Sequence, residues 1–124
     1  MHPVQFVQVH YKEALPSSVP TLPLDDPSLA IVLVHGFGGG TFAWRHVQQP
    51  LADQTGCRVV AFDRPAFGLT SRPPALADGT PYTVESQALL LLEFCAALGL
   101  QQVLLVAHAD GALLALRASS IVAE

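Results

Sequence analysis

The chain has 124 residues, 51% of them hydrophobic and only 13% charged, with a formal charge of −4. That describes one small globular domain, poor in charge against the ~25% of an average domain. The mild acidity and the scattered Lys and Arg residues exclude the basic patch that a nucleic-acid partner demands.

Met1-His2-Pro3-Val4-Gln5 has no basic stretch and no apolar core, so no signal peptide is read there and the cytoplasm is the default expectation. From Gln5 to Tyr11, Val7, Val9 and Tyr11 alternate as in a strand. Glu13 to Leu29 carries Pro16, Pro20, Pro23 and Pro27, a spacing that forbids a helix and suits an exposed connector. Residues 1–29 are therefore expected to form a strand and a Pro-rich connector, with the domain proper over 30–124. Ala30-Ile31-Val32-Leu33-Val34 is a continuous aliphatic run, the pattern of a strand covered on both faces. Thr41 to Thr55 predicts a helix with Phe42, Val47, Leu51 and Ala52 inward, ended by Gly56 and disturbed by Pro50.

Val59-Val60-Ala61-Phe62 reads as a second buried strand, followed by a Pro- and Gly-rich loop from Arg64 to Pro81. Thr83 caps the next helix, Glu85 suits its first turn, and Gly99 stops it near Leu98. Val84, Ala88, Leu91, Leu92 and Cys95 form its apolar stripe, and Leu89, Leu90, Phe94 and Ala97 fill its other sides. Val103-Leu104-Leu105-Val106 predicts a third buried strand, and Gly111 onward a helix that is apolar nearly all round. Strands alternating with helices imply crossover units and a mostly parallel sheet, an α/β fold. Cys57 and Cys95 sit in apolar runs and read as buried free thiols. No Cys/His spacing suggests a metal. A spanning helix is not expected, because Ala88–Leu100 is short and charged and Val103–Ala123 is broken by His108, Asp110, Gly111 and Arg117.

Three segments carry chemistry. His35-Gly36-Phe37-Gly38-Gly39-Gly40 follows a buried strand, where glycines let the backbone turn sharply and bring N–H groups toward an oxyanion. It lacks the Gly-Lys-Ser/Thr ending of a phosphate loop, and Thr41 stands where a dinucleotide fingerprint needs Gly. Asp63-Arg64-Pro65-Ala66-Phe67-Gly68-Leu69-Thr70-Ser71 reads alone as a turn held by Asp63 and Arg64. Val106-Ala107-His108-Ala109-Asp110-Gly111-Ala112 places small residues where a very tight strand-to-helix turn would need them.

In this order and spacing the three segments resemble the α/β-hydrolase fold family, of the AB hydrolase-1 type, over about residues 30 to 123. His35-Gly36 resembles the oxyanion-hole segment. Asp63 to Ser71 resembles the D-x-x-G-x-G-x-S loop, with Ala66 at its first glycine. Ala107 to Gly111 resembles the nucleophile elbow. Phe37–Val47, Val59–Arg72 and Ala107–Leu116 are similar to the corresponding segments of a poorly characterised plant subgroup. The resemblance implies the N-terminal half of the fold, a mostly parallel sheet flanked by helices, with no cofactor. It also implies that the backbone N–H groups of Phe37 and Asp110 form the oxyanion hole, and that His108 is the elbow's ordinary neighbour rather than a base.

The departures bear on function. Ala109 occupies the nucleophile position, where the family has Ser, Cys or Asp, and a methyl group cannot attack. A frame shifted by one makes Asp110 the nucleophile but puts His108 where the turn needs a small side chain. The family's acid and histidine follow the nucleophile in chain order, but no histidine follows Gly111, so no Ser-His-Asp set can be assembled in that order. The expectation is a catalytically silent chain. It is to be withdrawn if Asp110's carboxylate proves to sit at the crest of the elbow beside a histidine and the Phe37 amide. The alternatives are a hydrolase of a small ester or epoxide whose remaining half lies beyond these residues, and a small-molecule-binding or receptor-like module. An uncovered Val103–Val106 edge is expected to invite a protein partner or aggregation.

Overall fold

The computed structural model describes residues 7–24, 26 and 28–123. Its elements run β1 (Tyr11–Ala14), β2 (Leu29–Val34), a 3-10 turn (Thr41–Trp44), α1 (Gln48–Thr55), β3 (Arg58–Phe62), α2 (Val84–Ala97), β4 (Gln102–Ala107) and α3 (Gly111–Ala123). The order of strands and helices matches the sequence pattern. The sheet runs β1-β3-β2-β4, with β1 antiparallel to β3 and the other two pairings parallel.

The continuous apolar runs are explained by what covers them. Val32, Val34, Val60 and Phe62 face α2 and α3 and pack with Ala88, Leu91, Phe94, Leu114 and Ala118. Ile31, Leu33, Val59 and Ala61 point the other way, onto Ala52, Leu51 and Trp44. Alternate residues of β2 and β3 therefore fill two cores, one on each side of the sheet. α2 begins where expected, with the Thr83 hydroxyl accepting the Ser86 N–H at 3.0 Å, and Gly99 leaves it at φ 70°.

Three expectations are corrected. The first strand is Tyr11–Ala14, not a run ending at Tyr11, and Gln5 lies outside the described residues. Val9 still packs on the core, but the neighbouring backbone serves a loop: His10 C=O accepts from Asp63 N–H, and Gln8 C=O accepts from Ser71 N–H. The second correction concerns Thr41–Thr55, which is a 3-10 turn followed by a shorter α-helix. Pro50 lacks an N–H, so it is tolerated only in a first turn, and α1 starts at Gln48 accordingly. Phe42 and Val47 are exposed rather than inward, with the Arg45 guanidinium 3.9 Å from the Phe42 ring centroid. Third, β4 is not a buried strand. Val103, Leu105 and Ala107 pack toward α2 and α3, while Leu104 and Val106 on the opposite face are 45% and 36% exposed.

No helix among the described residues is long and apolar enough to cross a membrane.

Candidate functional site, a tight turn with alanine at its crest

Parallel neighbours β3, β2 and β4 end on the same side of the sheet, so the three motif segments converge there. His108 N–H donates to Val34 C=O at 3.0 Å, continuing the β2–β4 ladder into the turn. The chain then reverses at Ala109, which has φ 55°, and α3 starts at Gly111. A left-handed alanine costs on the order of 1–2 kcal/mol. The bend persists because its surroundings are crowded. A Cβ on Gly111 would lie 2.6 Å from His35 C=O oxygen, and one on Gly36 would lie 2.9 Å from the Ala109 methyl. Only glycine fits at either place. The crest of the turn therefore presents a methyl group beside the loop that follows β2.

Asp63 closes the loop after β3. One carboxylate oxygen accepts the Thr41 N–H at 2.6 Å and the other the Leu69 N–H at 2.9 Å. Gly68 packs against the same carboxylate. Ala66, at the family's first glycine, is the second left-handed alanine, with φ 69°.

His35 is 1% exposed, and both ring nitrogens are committed. Nε2 accepts the Arg64 N–H at 2.9 Å, which makes Nδ1 the protonated nitrogen, donating to Gly36 C=O at 2.8 Å. Burial, and then the Arg64 charge, hold its pKa below the usual 6.5, although the Gly36 carbonyl pulls the other way. A neutral ring with a used lone pair braces the site and does not serve it as a base.

Arg64 and Asp110 meet between these segments. The Arg64 side chain, 5% exposed, donates from Nε to Gln87 Oε1 at 3.0 Å and from Nη1 to His35 C=O at 3.1 Å. Its Nη1 and Nη2 also face the two oxygens of Asp110, each at 3.3 Å. Asp110 Oδ1 accepts the Phe37 N–H at 2.7 Å as well. The Arg64 hydrogen bond is the first cause, and the Phe37 N–H a further one, of an Asp110 carboxyl held below the usual carboxylate range. Asp110 is thus beside the Phe37 amide, as the reversal condition required. It follows the crest rather than occupying it, and its partner is an arginine rather than a histidine.

His108 is exposed and lines a groove of about 330 Å³ with Gly36, Phe37 and Trp44. No cluster of three His, Cys, Asp or Glu that could hold a metal occurs among the described residues. Both cysteines are buried, and burial pushes the Cys95 thiol up to about 11. Sequence reasoning missed the ion pair and also Gln87, whose other end donates to Tyr82 C=O at 2.8 Å. The available signal was a glutamine beside the apolar stripe of α2.

This architecture, a mixed sheet of four strands flanked by three helices, is a partial α/β-hydrolase fold. The family model of the alpha/beta hydrolase fold matches residues 30–122, and the chain belongs to that family. It is 35% identical over 85 residues to bifunctional epoxide hydrolase 2 of Sus scrofa, covering 68% of this chain and 15% of that protein. It is 40% identical over 88 residues to 1-acylglycerol-3-phosphate O-acyltransferase ABHD5 of Sus scrofa, covering 70% and 24%. Epoxide hydrolase VrEH1 from Vigna radiata superimposes with a TM-score of 0.72 at 27% identity, over 90% of this chain and 30% of that one. The chain thus spans a quarter or less of the two curated relatives named.

Proposed function

We propose that this chain is a catalytically silent member of the α/β-hydrolase fold family. The observation that carries this reading is Ala109, at φ 55°, holding the crest of an otherwise well-formed elbow. The bend that exposes an attacking atom in the family exposes a methyl here. Phe37 N–H, an oxyanion-hole donor by resemblance, is already bonded to Asp110. His35 has no free lone pair.

One observation favours a second reading. Asp110 is an ionised carboxylate one residue from the crest, and epoxide hydrolases are among the relatives. In that reading an Asp110 oxygen attacks an epoxide carbon, the ring C–O bond breaks, the released alkoxide takes a proton from water, and an ester to Asp110 remains. The test is to incubate the protein with styrene oxide and, separately, p-nitrophenyl acetate, and then measure product and intact mass. The silent reading expects no turnover and an unmodified mass. A covalent adduct that vanishes in Asp110→Asn transfers the function to Asp110.

Activity in a longer protein is a separate proposal. It requires a carboxylate and a histidine supplied beyond these residues, and ester hydrolysis after Ala109→Ser in that protein would support it. We also infer that the exposed face and edge of β4 are covered by a protein partner or lead to association. Normal solubility with a sharp, reversible, monomeric unfolding transition is the result that refutes this.

A further inference from the structure

The elbow already holds an anion, and it is the protein's own. Phe37 N–H and the Arg64 guanidinium converge on one carboxylate, that of Asp110. The donors owe little of their placement to it. Arg64 is fixed from behind by Gln87 and His35 C=O, and Phe37 follows the crowded Gly36. Asp110 is the solvent-facing member, with a side chain 42% exposed against 5% for Arg64. Its grip on Arg64 is also loose. Both contacts are 3.3 Å, against ~2.7–2.9 Å for well-formed charge-assisted bonds. A carboxylate free of the main chain can adopt the shorter geometry that Asp110's short tether denies.

We propose that the corner between Phe37 and Arg64 is a binding site for small monocarboxylates, closed in the resting protein by Asp110 acting as an internal ligand. Fixed donors favour it, because little ordering is required when an outside anion replaces the inside one. The ligand is a carboxylate rather than a spherical anion, because two guanidinium nitrogens each address a separate oxygen. The groove of about 330 Å³ beside Phe37 and His108 has room for a short organic tail. This site does not depend on whether the elbow is catalytic, and its test involves no turnover.

The test uses acetate, phosphate and chloride at constant ionic strength, with the wild-type chain and Asp110→Ala. Binding is read from the Phe37 amide resonance and from the melting temperature. Removing the internal ligand leaves Arg64 without its counter-charge, so Asp110→Ala should melt lower. Acetate should then raise its melting temperature and bind about tenfold or more tighter than to wild type, a difference of about 1.4 kcal/mol. Equal acetate affinity in the two proteins overturns the proposal. So does a chloride or phosphate response as large as that to acetate, since either reports charge screening or a general anion site. Should Asp110→Ala fail to fold, Asp110→Asn keeps the side-chain shape without the charge. Its Phe37 amide should move at acetate concentrations that leave the wild-type amide nearly unmoved, and identical titration of the two amides overturns the proposal.

Discussion

β2 and β4 lie side by side in register, both carry a continuous apolar run, and fare differently. Ile31, Val32, Leu33 and Val34 are buried on both faces of the sheet, whereas β4 alternates, with Leu104 and Val106 open to solvent. An aliphatic run thus reports that a strand is suited to cover on both faces, not that these residues supply the cover. One sharp way to break the comparison is a pair of truncations. Phe62→Ala, in the two-sided centre, should cost about 3–5 kcal/mol, while Leu104→Ala at the margin should cost well under 1 kcal/mol. Equal losses in chemical denaturation would show that β4 is covered in solution. Leu104→Lys extends the test, since a charge on an exposed margin should reduce association without lowering stability.

The next effect is electrostatic and contrasts a buried charge with its half-exposed partner. Arg64→Met removes the cation that ties the loop after β3 to α2, to the loop after β2 and to Asp110. It leaves Gln87 Oε1 and His35 C=O without these donors, and a loss of about 2–4 kcal/mol is expected. Asp110→Asn, at the water-facing end of the same pair, should cost less than half of that, because solvent can replace what is lost. A thermal melt in which the two variants coincide would mean that the pair is held by its exposed end.

pH separates the same groups. His35 has its folded pKa held below 6.5, first by burial. The unfolded chain therefore binds that proton more readily, and the neutral ring stabilises the fold above about pH 6.5. That contribution is lost as pH falls through the folded value, when protonated Nε2 could no longer accept the Arg64 N–H. Asp110, held below 3.8 by Arg64, contributes above that value and loses its contribution only as pH falls below it. The stability profile should thus soften in two stages, the first absent from His35→Gln and the second reduced in Asp110→Asn but not removed, because hydrogen bonds also hold Asp26, Asp53, Asp78 and Glu85 low. A first stage that survives in His35→Gln would assign it to another group.

The fold was legible because it rests on patterns with one solution. Aliphatic runs separated by capped helices give parallel crossovers, and Thr83 and Gly99 mark the ends of α2 through their own chemistry. Segments without such a rule were read less well. Phe42 and Val47 looked inward by helical spacing, but the 3-10 turn before Pro50 changes the angle between residues and turns both outward. The segment ending at Tyr11 alternated like a strand, yet its backbone found partners in the loop from Asp63 to Ser71, which no local pattern announces. At the site, the crowding that requires Gly36 and Gly111 was foreshadowed by the run of small residues. The Arg64–Asp110 contact joins residues far apart in the chain, and only the meeting of β2, β3 and β4 brings them together.

The smallest effect compares the two left-handed alanines with an ordinary one. Ala66 at φ 69° and Ala109 at φ 55° each carry strain of about 1–2 kcal/mol, which glycine would relieve. Glycine also makes the unfolded chain more flexible, which takes back about 0.4–1 kcal/mol. The net expectation is a gain of roughly 0.5 kcal/mol for Ala66→Gly and for Ala109→Gly. Ala118 sits buried inside α3, with ordinary helical backbone, so Ala118→Gly should lose about 1 kcal/mol or more. The sign, read by denaturant titration, is what matters. If Ala109→Gly destabilises while Ala66→Gly stabilises, the Ala109 methyl contributes through its contact with Gly36. The elbow would then be a packed corner of the fold, maintained by alanine for reasons other than the chemistry its backbone suggests.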